Sequence, residues 1–328
     1  MAGLVLGHTH LYSALARGMP PPKKQPRNFL EILKEVWWKL DLALDEEAVE
    51  VSARVGAVEA LLAGVTTVID HHASPNFIEG SLFAVRRGVD AVGLRSVLAY
   101  EITDRHGKAG RDAGLAETER FLESGRTARC RALVGGHASM TLEPDSLELM
   151  GDLAQRYDVG LHVHVAEDPE DERDCRQKYD LGLAERFNNY GLLGPRTLLA
   201  HCTHLAWEEL SLAQQSGTWL LHCPRSNMNN GVGYAPAGRF GARKALGTDG
   251  ISADLFEEAR TAFFRGRDAG VDLDILRWLT GGHLLASELF GMPIGRLEAG
   301  AAADLLVLDY PSPTPLTEEN LAGHVLFG

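Results

Sequence analysis

Short apolar runs alternate with amphipathic helical patterns along most of the chain. The runs are continuous and rich in Val, Leu and Ile, which is typical of parallel strands buried on both faces. They cover Gly3–His8, Val65–His71, Gly93–Tyr100, Arg131–His137, Val159–Val165, Thr197–Cys202, Thr218–Cys223 and Lys244–Thr248. Eight strands alternating with helices predict an α/β fold, a (β/α)8 TIM-like barrel, with a doubly wound open sheet as the alternative.

Three of the intervening helices are clearly marked. One follows Asp45, a side chain suited to an N-cap, and carries Glu46 and Glu47 in its first turn, where carboxylates favour the helix dipole. Its apolar residues recur at steps of three and four. The segments Asp254–Arg267 and Leu273–Phe290 have the same pattern. Helices of this kind are expected to cover the outside of the barrel.

Two segments exceed what a bare barrel needs. The first, Arg17–Asp41, separates the first strand from its helix and contains two adjacent tryptophans, so it is predicted to be a functional lid. The second follows the last helix and includes a predicted strand over Ala303–Leu308. We therefore expect a barrel over residues 1–292 and, over residues 293–328, the remnant of a small β-sandwich domain.

Composition narrows the class of protein. The 328 residues are 45% hydrophobic and 23% charged, as in ordinary globular domains, and the formal net charge is −13. This acidic balance argues against nucleic acid or an anionic membrane as a partner, and no apolar run is long enough to span a bilayer. The four cysteines form no CxxC pair, which fits a reducing compartment. We expect a cytoplasmic protein.

Histidines and a carboxylate lie at the carboxyl ends of several predicted strands. His8 and His10 are two residues apart and therefore face the same side of a strand. His164 ends the fifth run, with His162 one layer deeper, and Asp249 ends the eighth. A barrel brings these ends together at one rim. Three imidazoles and one carboxylate form a suitable site for Zn²⁺ or Fe²⁺, although each motif alone is weak evidence.

Further polar residues lie near the same rim. Glu167 follows His164 closely and is predicted to be functional, whereas the acidic residues after it are expected on the surface. Ser226, Asn227, His137, His72 and Trp38 are candidate substrate contacts. For each of these five the alternative is structural: a turn for Ser226 and Asn227, and packing for the ring-bearing side chains.

Taken in order, these motifs resemble the metal-dependent amidohydrolase superfamily, in particular its chlorohydrolase and nucleobase-deaminase branch, and within it the SsnA-type aminohydrolases. The resemblance covers nearly the whole chain. It rests on His8–Tyr12, Asp70–Pro75, His164–Glu167, His201–Leu205, Cys223–Asn230, Gly247–Gly250 and Gly295–Gly300.

The resemblance implies one divalent metal, with Zn expected before Fe, held by His8, His10, His164 and Asp249. It further implies that Glu167 shuttles a proton, while His201 contacts the substrate and the attacking water. Binuclear branches need a lysine at the end of the fourth strand, and none is present there. A homodimer is typical of such proteins. Family members also carry strands before the first barrel strand, and these are not found here.

We therefore expect an aminohydrolase, a deaminase that hydrolyses a C–N bond of a small nitrogen heterocycle or guanidine-like compound. In this scheme Asp249 accepts a proton from the metal-activated water, and Glu167 protonates the ring nitrogen. His201 stabilises the developing charge. Two alternatives remain open: a hydrolase that removes halide or alkylamine from a triazine-like ring, and a catalytically inactive, truncated barrel.

Overall fold

The computed structural model describes residues 1–328 and contains one sheet of parallel strands. The strands are β1 Leu4–Thr9, β2 Val65–His72, β3 Arg95–Ile102, β4 Cys130–Ala132, β5 Val134–Ala138, β6 Leu161–Val165, β7 Leu198–His201, β8 Trp219–His222 and β9 Lys244–Leu246. They pair in the order β1-β2-β3-β5-β6-β7-β8-β9, and β4 adds to β3. A bridge between Thr9 and Asp249 brings the end of the sheet back to β1. The predicted (β/α)8 barrel is confirmed.

The predicted fourth strand is divided. Residues 130–132 pair with β3 at its start, and residues 134–138 pair with both β3 and β6. At the division, the Leu133 N–H donates to the Leu98 carbonyl over 3.1 Å, so the hydrogen bonding to β3 is not interrupted. The two short strands therefore occupy one position in the barrel.

Helices cover the outside of the sheet. They are α1 Phe29–Ile32, α2 Trp38–Leu42, α3 Glu46–Leu62, α4 Ser81–Asp90, α5 Gly107–Ser124, α6 Pro144–Tyr157, α7 Pro169–Tyr179, α8 Leu183–Asn189, α9 Trp207–Gln215, α10 Pro224–Asn229, α11 Leu255–Asp268, α12 Ile275–Phe290 and α13 Leu321–Phe327. The Asp45 side chain caps α3 by accepting the Ala48 N–H over 2.8 Å, as its position in the sequence predicts.

The apolar core has two layers that follow from strand alternation. A cluster of 57 buried residues lies between the sheet and the helices. A second cluster of 14 residues includes eight strand residues, among them Val5, Ile69, Val97, Leu198 and Leu221. Because these residues alternate along their strands with members of the first cluster, they fill the inside of the barrel. The polar site lies beyond them, toward the carboxyl ends of the strands.

The predicted lid is folded against the carboxyl end of the barrel. It contains α1, a π-helical turn over Leu33–Trp37, and α2. The Asn28 side chain caps α1 by accepting the Glu31 N–H over 2.9 Å. π-Helical turns are rare and are found mostly at functional sites, which agrees with the position of this one above the barrel mouth.

The structure does not confirm the predicted β-sandwich remnant. Residues 303–308 do not form a continuous strand: Leu305 makes a single antiparallel bridge with Ala2. The flanking contacts are the Gly3 N–H donating to Asp304 and the Leu306 N–H donating to Met1, at 2.8 and 2.9 Å. The segment then ends in the helix α13 rather than in further strands. Alternation of Leu and Val alone overestimated the strand, because few partner residues are present to pair with it.

Candidate metal and active site

Four side chains from opposite sides of the barrel converge above its apolar interior. Their ligand atoms, from His8, His10, His164 and Asp249, lie within 4.8 Å of one another, and all four residues are buried. The Nε2 atom of His10 lies 3.1 Å from His164 Nε2 and 2.9 Å from Asp249 Oδ1. The Nε2 atom of His8 lies 3.6 Å from the same Asp249 oxygen. These are the four residues predicted as metal ligands.

The donor set fits a divalent metal. Zinc bound to nitrogen and oxygen at 2.0–2.2 Å in tetrahedral geometry keeps its ligand atoms about 3.4 Å apart. The separations of 2.9, 3.1 and 3.6 Å in the cluster bracket that value. In addition, His8 Nε2 is buried and has no hydrogen-bond partner. Leaving such an atom unpaired is unfavourable, so it is suited to face a ligand.

The outer nitrogens of the imidazoles orient the inner ones. The Nδ1–H of His10 donates to the His71 carbonyl over 2.6 Å, and that of His164 donates to the His137 carbonyl over 2.7 Å. A neutral imidazole that donates through Nδ1 carries its lone pair on Nε2. Carbonyls behind metal-binding histidines perform this role in many metal sites.

Burial and charge set the protonation states of the cluster. Burial lowers the pKa of His8 to about 3 and that of His164 well below its ordinary value, so both are neutral at pH 7. Burial also lowers the pKa of His10, but the hydrogen bond and charge of Asp249 outweigh it and raise that pKa to about 9. The same imidazoles outweigh burial at Asp249 and keep its pKa well below the usual range. The ionised Asp249 carboxylate thus favours a positive charge at this point.

Glu167 and His201 lie next to the cluster. Glu167 Oε2 is 3.6 Å from His201 Nε2, and both residues share a group with Asp249 whose ligand atoms lie within 4.8 Å. Burial raises the pKa of Glu167 to about 7, so its carboxyl can hold or release a proton near neutral pH. His201 Nε2 is buried without a partner. The three residues predicted to be catalytic therefore lie together.

The short helix α10 supports these carboxylates from one side. The Ser226 hydroxyl donates to Asp249 Oδ2, and the Asn230 amide donates to Glu167 Oε1 over 3.2 Å. Asn227 Oδ1 accepts the Nδ1–H of His201 over 2.9 Å. Ser226 and Asn227 thus contact catalytic candidates and do not line the pocket, whereas Asn230 does. No motif in the sequence singled out Asn230.

A pocket lies between the cluster and the lid. Of the five predicted substrate contacts, the structure places Trp38 and His137 in its wall, with ring centroids 6.1 Å apart. The expected inward position of His72 is corrected. His71 faces the cluster instead, with Nδ1 3.4 Å from Glu101, while His72 is bonded to Ser74 outside the pocket.

One end of the pocket is charged. Glu101 forms an ion pair with Arg105 over 2.6 Å, and Asp41 of the lid lies 3.4 Å from the same guanidinium. Arg105 also lies over the Trp38 ring at 4.7 Å. The sequence analysis named the lid but not these charged residues. Glu101 could have been found as another carboxylate at a strand end.

Several residues at this end of the barrel have a left-handed backbone. Six non-glycine residues of the chain have positive φ, and four of them follow or end barrel strands: Ala166, His201, Cys202 and Asp249. The other two end helices. Left-handed non-glycine residues are unfavourable and persist where the surroundings hold them, commonly at functional sites.

An eight-stranded parallel barrel with three imidazoles and a carboxylate at its carboxyl end is the architecture of a metal-dependent hydrolase. Residues 1–325 match the amidohydrolase family. The chain belongs to this family, and it is a hydrolase of carbon–nitrogen bonds other than peptide bonds. The resemblance seen in the sequence is confirmed.

Two curated relatives extend over most of the chain. An 8-oxoguanine deaminase from Pseudomonas aeruginosa is 31% identical, over 93% of this chain and 73% of its own. A 5′-deoxyadenosine deaminase from Methanocaldococcus jannaschii is 26% identical, over 99% of this chain and 78% of its own.

Solved structures share the fold. An adenosine deaminase from Xanthomonas campestris, crystallised with zinc, superposes with a TM-score of 0.83 at 25% identity, over 100% of this chain and 76% of its own. A zinc-containing atrazine chlorohydrolase from Arthrobacter aurescens gives a TM-score of 0.81 at 22% identity, over 100% of this chain and 79% of its own.

No helix of this protein combines the length and apolar character that crossing a bilayer requires.

Proposed function

We propose that this protein is a zinc-dependent deaminase that replaces the amino group of a planar, purine-like heterocycle with oxygen. The observation that carries the proposal is the grouping of Glu167, His201 and Asp249 within 4.8 Å, directly beside the ligand cluster. The named activity of the relative that is 31% identical supports a purine-type substrate. Zinc is proposed before iron because a solved relative with 25% identity contains it.

We propose that His8, His10, His164 and Asp249 hold the ion. A bound divalent metal lowers the pKa of water from about 16 toward about 7 and so makes hydroxide available at neutral pH. Asp249 is kept ionised by its neighbours and is placed to accept the proton that the water loses. The Ser226 hydroxyl, by donating to Asp249 Oδ2, holds the second oxygen of this carboxylate in place.

Glu167 is assigned the acid–base role. Its pKa of about 7 makes proton transfer in both directions accessible at neutral pH. It protonates the ring nitrogen adjacent to the carbon that bears the amino group. A C–O bond forms at that carbon, the amino group takes up the proton that Asp249 accepted from the water, the C–N bond breaks, and ammonia leaves. The proton on the new oxygen returns to Glu167 as the C=O bond forms. His201, whose Nε2 atom lies 3.6 Å from Glu167 Oε2, is assigned to contact the oxygen on which negative charge develops.

The pocket walls suit a flat ring. Trp38 from the lid and His137 from the end of β5 present two ring systems to the same space. Trp38 Nε1 is buried without a partner, so it is available to donate to an acceptor on the substrate. We propose that these residues bind the heterocycle, with Asn230 and Glu101 at its edges.

The test is ammonia release by zinc-loaded protein from 8-oxoguanine, guanine and 5′-deoxyadenosine, with atrazine as the triazine comparison. We expect at least one purine to be deaminated. Glu167→Gln should lower kcat at least about 10³-fold while zinc content stays near one per chain. Glu172→Gln is the matched control, because Glu172 pairs with Arg176 over 2.6 Å on the outside of α7.

The outcomes separate the alternatives. Chloride release from atrazine without ammonia from any purine would favour the dehalogenating hydrolase. Stoichiometric zinc with no turnover of any compound would favour the inactive barrel. An unchanged rate in Glu167→Gln would remove the acid–base assignment while leaving the metal assignment intact.

Three broader expectations are proposals as well. We propose a cytoplasmic location on the basis of four free, buried cysteines. A homodimer and a separate unit over residues 293–328 rest on the family resemblance. Sedimentation equilibrium tests the dimer, and limited proteolysis near residue 292 tests the boundary.

A further inference from the structure

A second buried carboxylate lies close to Glu167 and has no part in the proposed chemistry. Asp171 is the third residue of α7, within an acidic run that was expected on the surface. The residue is only 4% exposed, whereas Glu170 and Glu172 of the same turn are ion-paired near the surface. A carboxylate inside a protein is costly unless its oxygens are satisfied, so its partners matter.

Asp171 binds the backbone of two loops at once. Its Oδ2 accepts the Ala166 N–H over 3.0 Å, in the loop that follows β6. Its Oδ1 accepts the Met140 N–H over 3.0 Å, in the turn that follows β5. Glu167 is the next residue after Ala166, and His137 ends the strand that leads to Met140. One side chain therefore joins the backbones that carry the proton shuttle and a pocket wall.

The Ala166 backbone needs this support. Its φ is +48°, a left-handed conformation that alanine seldom adopts. The Ala166 carbonyl accepts the His204 N–H over 2.9 Å, and its N–H donates to Asp171, so both sides of the residue are held. Because φ of Ala166 sets the direction in which the chain continues, it also sets where the Glu167 carboxyl points.

A buried cation secures the other end of the connection. Arg186 is 1% exposed, and its guanidinium donates to the carbonyls of Ser139 and Leu142 at 2.8 and 2.6 Å. It also donates to the Ser139 hydroxyl over 2.7 Å. The turn that Asp171 grips is thus fixed to α8 as well. Because Arg186 fixes the turn after β5, the hydrogen bond from Met140 to Asp171 also fixes the position of the Asp171 side chain relative to Ala166.

We propose that Asp171 is a positioning residue, which fixes the left-handed Ala166 and thereby aims the Glu167 carboxyl at the reaction centre. This inference rests on the proposed role of Glu167 in deamination. Misplacing a catalytic group by about 1 Å costs on the order of 100-fold in rate. The Asn230 amide holds the carboxyl itself, so Asp171 and Asn230 act on Glu167 from opposite ends.

The main test is Asp171→Asn, which keeps the size of the side chain. An amide has only one oxygen, so one of the two N–H groups must face an NH₂ instead of an acceptor. We expect kcat to fall about 10- to 100-fold, KM to change less than about threefold, and zinc content to stay constant. Asp174→Asn is the matched control on the same helix, since Asp174 pairs with Lys178 outside the site. It should keep the wild-type kcat.

A double-mutant cycle separates positioning from general damage. If Asp171 acts through Glu167, adding Asp171→Asn to Glu167→Gln should cause no further loss of residual activity. A further loss as large as in the wild-type background would overturn the proposal. Asp171→Glu, which retains both acceptor oxygens, should recover part of kcat. No recovery in this variant, with normal folding by circular dichroism, would also contradict it.

Hydrogen exchange tests the connection without any substrate. In Asp171→Asn, peptides that contain Ala166 and Met140 should exchange faster than in wild type, and peptides from α3 should not. Unchanged exchange at both positions would overturn the proposal whatever the activity. If wild-type protein deaminates nothing, the proposed function fails, and accelerated exchange would still support the role of Asp171 in holding these loops.

Discussion

The two ends of the barrel interior use the same strands for opposite purposes. Toward the amino ends, side chains such as Ile69 and Ala99 belong to an apolar cluster. Two residues further along the same strands, His71 and Glu101 belong to the buried polar cluster with His164. The strand pleat directs both layers inward, so the change from packing to chemistry takes place within about 7 Å of chain.

The ends also differ in backbone conformation. All four left-handed non-glycine residues associated with strands lie at the carboxyl end, and Asp249 is one of them. No strand contains a left-handed non-glycine residue at its amino end. We conclude that apolar packing at the amino end supplies the stability that offsets the cost of the strained, polar carboxyl end. Removing side chains at either end should therefore have separable effects.

The largest expected effect is loss of the metal at the polar end. His10→Ala removes an imidazole that lies 2.9 Å from Asp249 and 3.1 Å from His164. Metal content should fall below about a tenth of wild type, and activity should fall at least about 10³-fold. Elemental analysis and ammonia release measure the two quantities. His106→Ala, at an exposed histidine, is the control and should keep the wild-type metal content. A His10→Ala variant with full zinc content would contradict the ligand assignment.

Removing a side chain at the apolar end should cost stability and spare the chemistry. Leu198 is fully buried within the inner cluster. Leu198→Ala should lower the free energy of unfolding by about 2–5 kcal/mol, while kcat per bound zinc stays near wild type. Urea denaturation measures the first quantity. Leu62→Ala, at a side chain that is 83% exposed, should change stability by less than about 0.5 kcal/mol. A proportional loss of kcat in Leu198→Ala would show that the two ends are not separable.

Asp70 lies between Ile69 and His71 in the β2 sequence, on the opposite face of the strand, and gives the comparison a pH dependence. Burial raises its pKa to about 7, despite a 2.7 Å hydrogen bond from the Leu11 N–H. Between pH 4 and pH 7 the folded state therefore holds a proton that the unfolded chain releases. The contribution of Asp70 to the free energy of unfolding should thus fall as pH rises, by at most roughly 1.4 kcal/mol per pH unit.

Asp70→Asn removes this titration and retains an acceptor for Leu11. Relative to wild type, the variant should gain stability as pH rises from 5 to 7.5, as measured by urea denaturation at each pH. Parallel pH profiles for the two proteins would mean that Asp70 titrates normally.

The smallest effect is expected far from both layers. Asp45→Ala removes the 2.8 Å cap on α3 and should lower the free energy of unfolding by about 1 kcal/mol without changing kcat. Glu47→Ala, an exposed residue in the same turn, should have little effect. A thermal melt followed by circular dichroism is sufficient, and equal shifts for both variants would argue against the cap.

Local pattern was enough to predict the barrel and the convergence of the four candidate ligand residues at its carboxyl end. Continuous apolar runs predict buried strands, and the rule that parallel strands end at one rim brings His8, His164 and Asp249 together. The strand over residues 303–308 was wrong because its formation depends on partners elsewhere in the chain. The alternation of apolar and polar residues in one segment does not show which other strand, if any, that segment pairs with.

The remaining site residues depend on register and distance. His71 and His72 are equivalent in the sequence, and only the phase of β2 decides which one faces inward. Asp171 is indistinguishable from its acidic neighbours until the loop after β5 supplies the Met140 N–H. Asn230 likewise becomes significant only because α10 brings its amide to Glu167. Such contacts join residues that lie 31 and 63 positions apart.

The bridge from Thr9 to Asp249 joins residues 240 positions apart, and Asp249 is also one of the proposed metal ligands. Contacts of such long range form late, because closing a long loop costs entropy before it is rewarded. Tight capture of the ion must therefore wait until the first and last strands have met. A metal ion that binds only the closed barrel shifts the folding equilibrium toward that state by mass action. Availability of the proposed metal would then govern how much of this chain completes folding, and not only how fast the folded enzyme works.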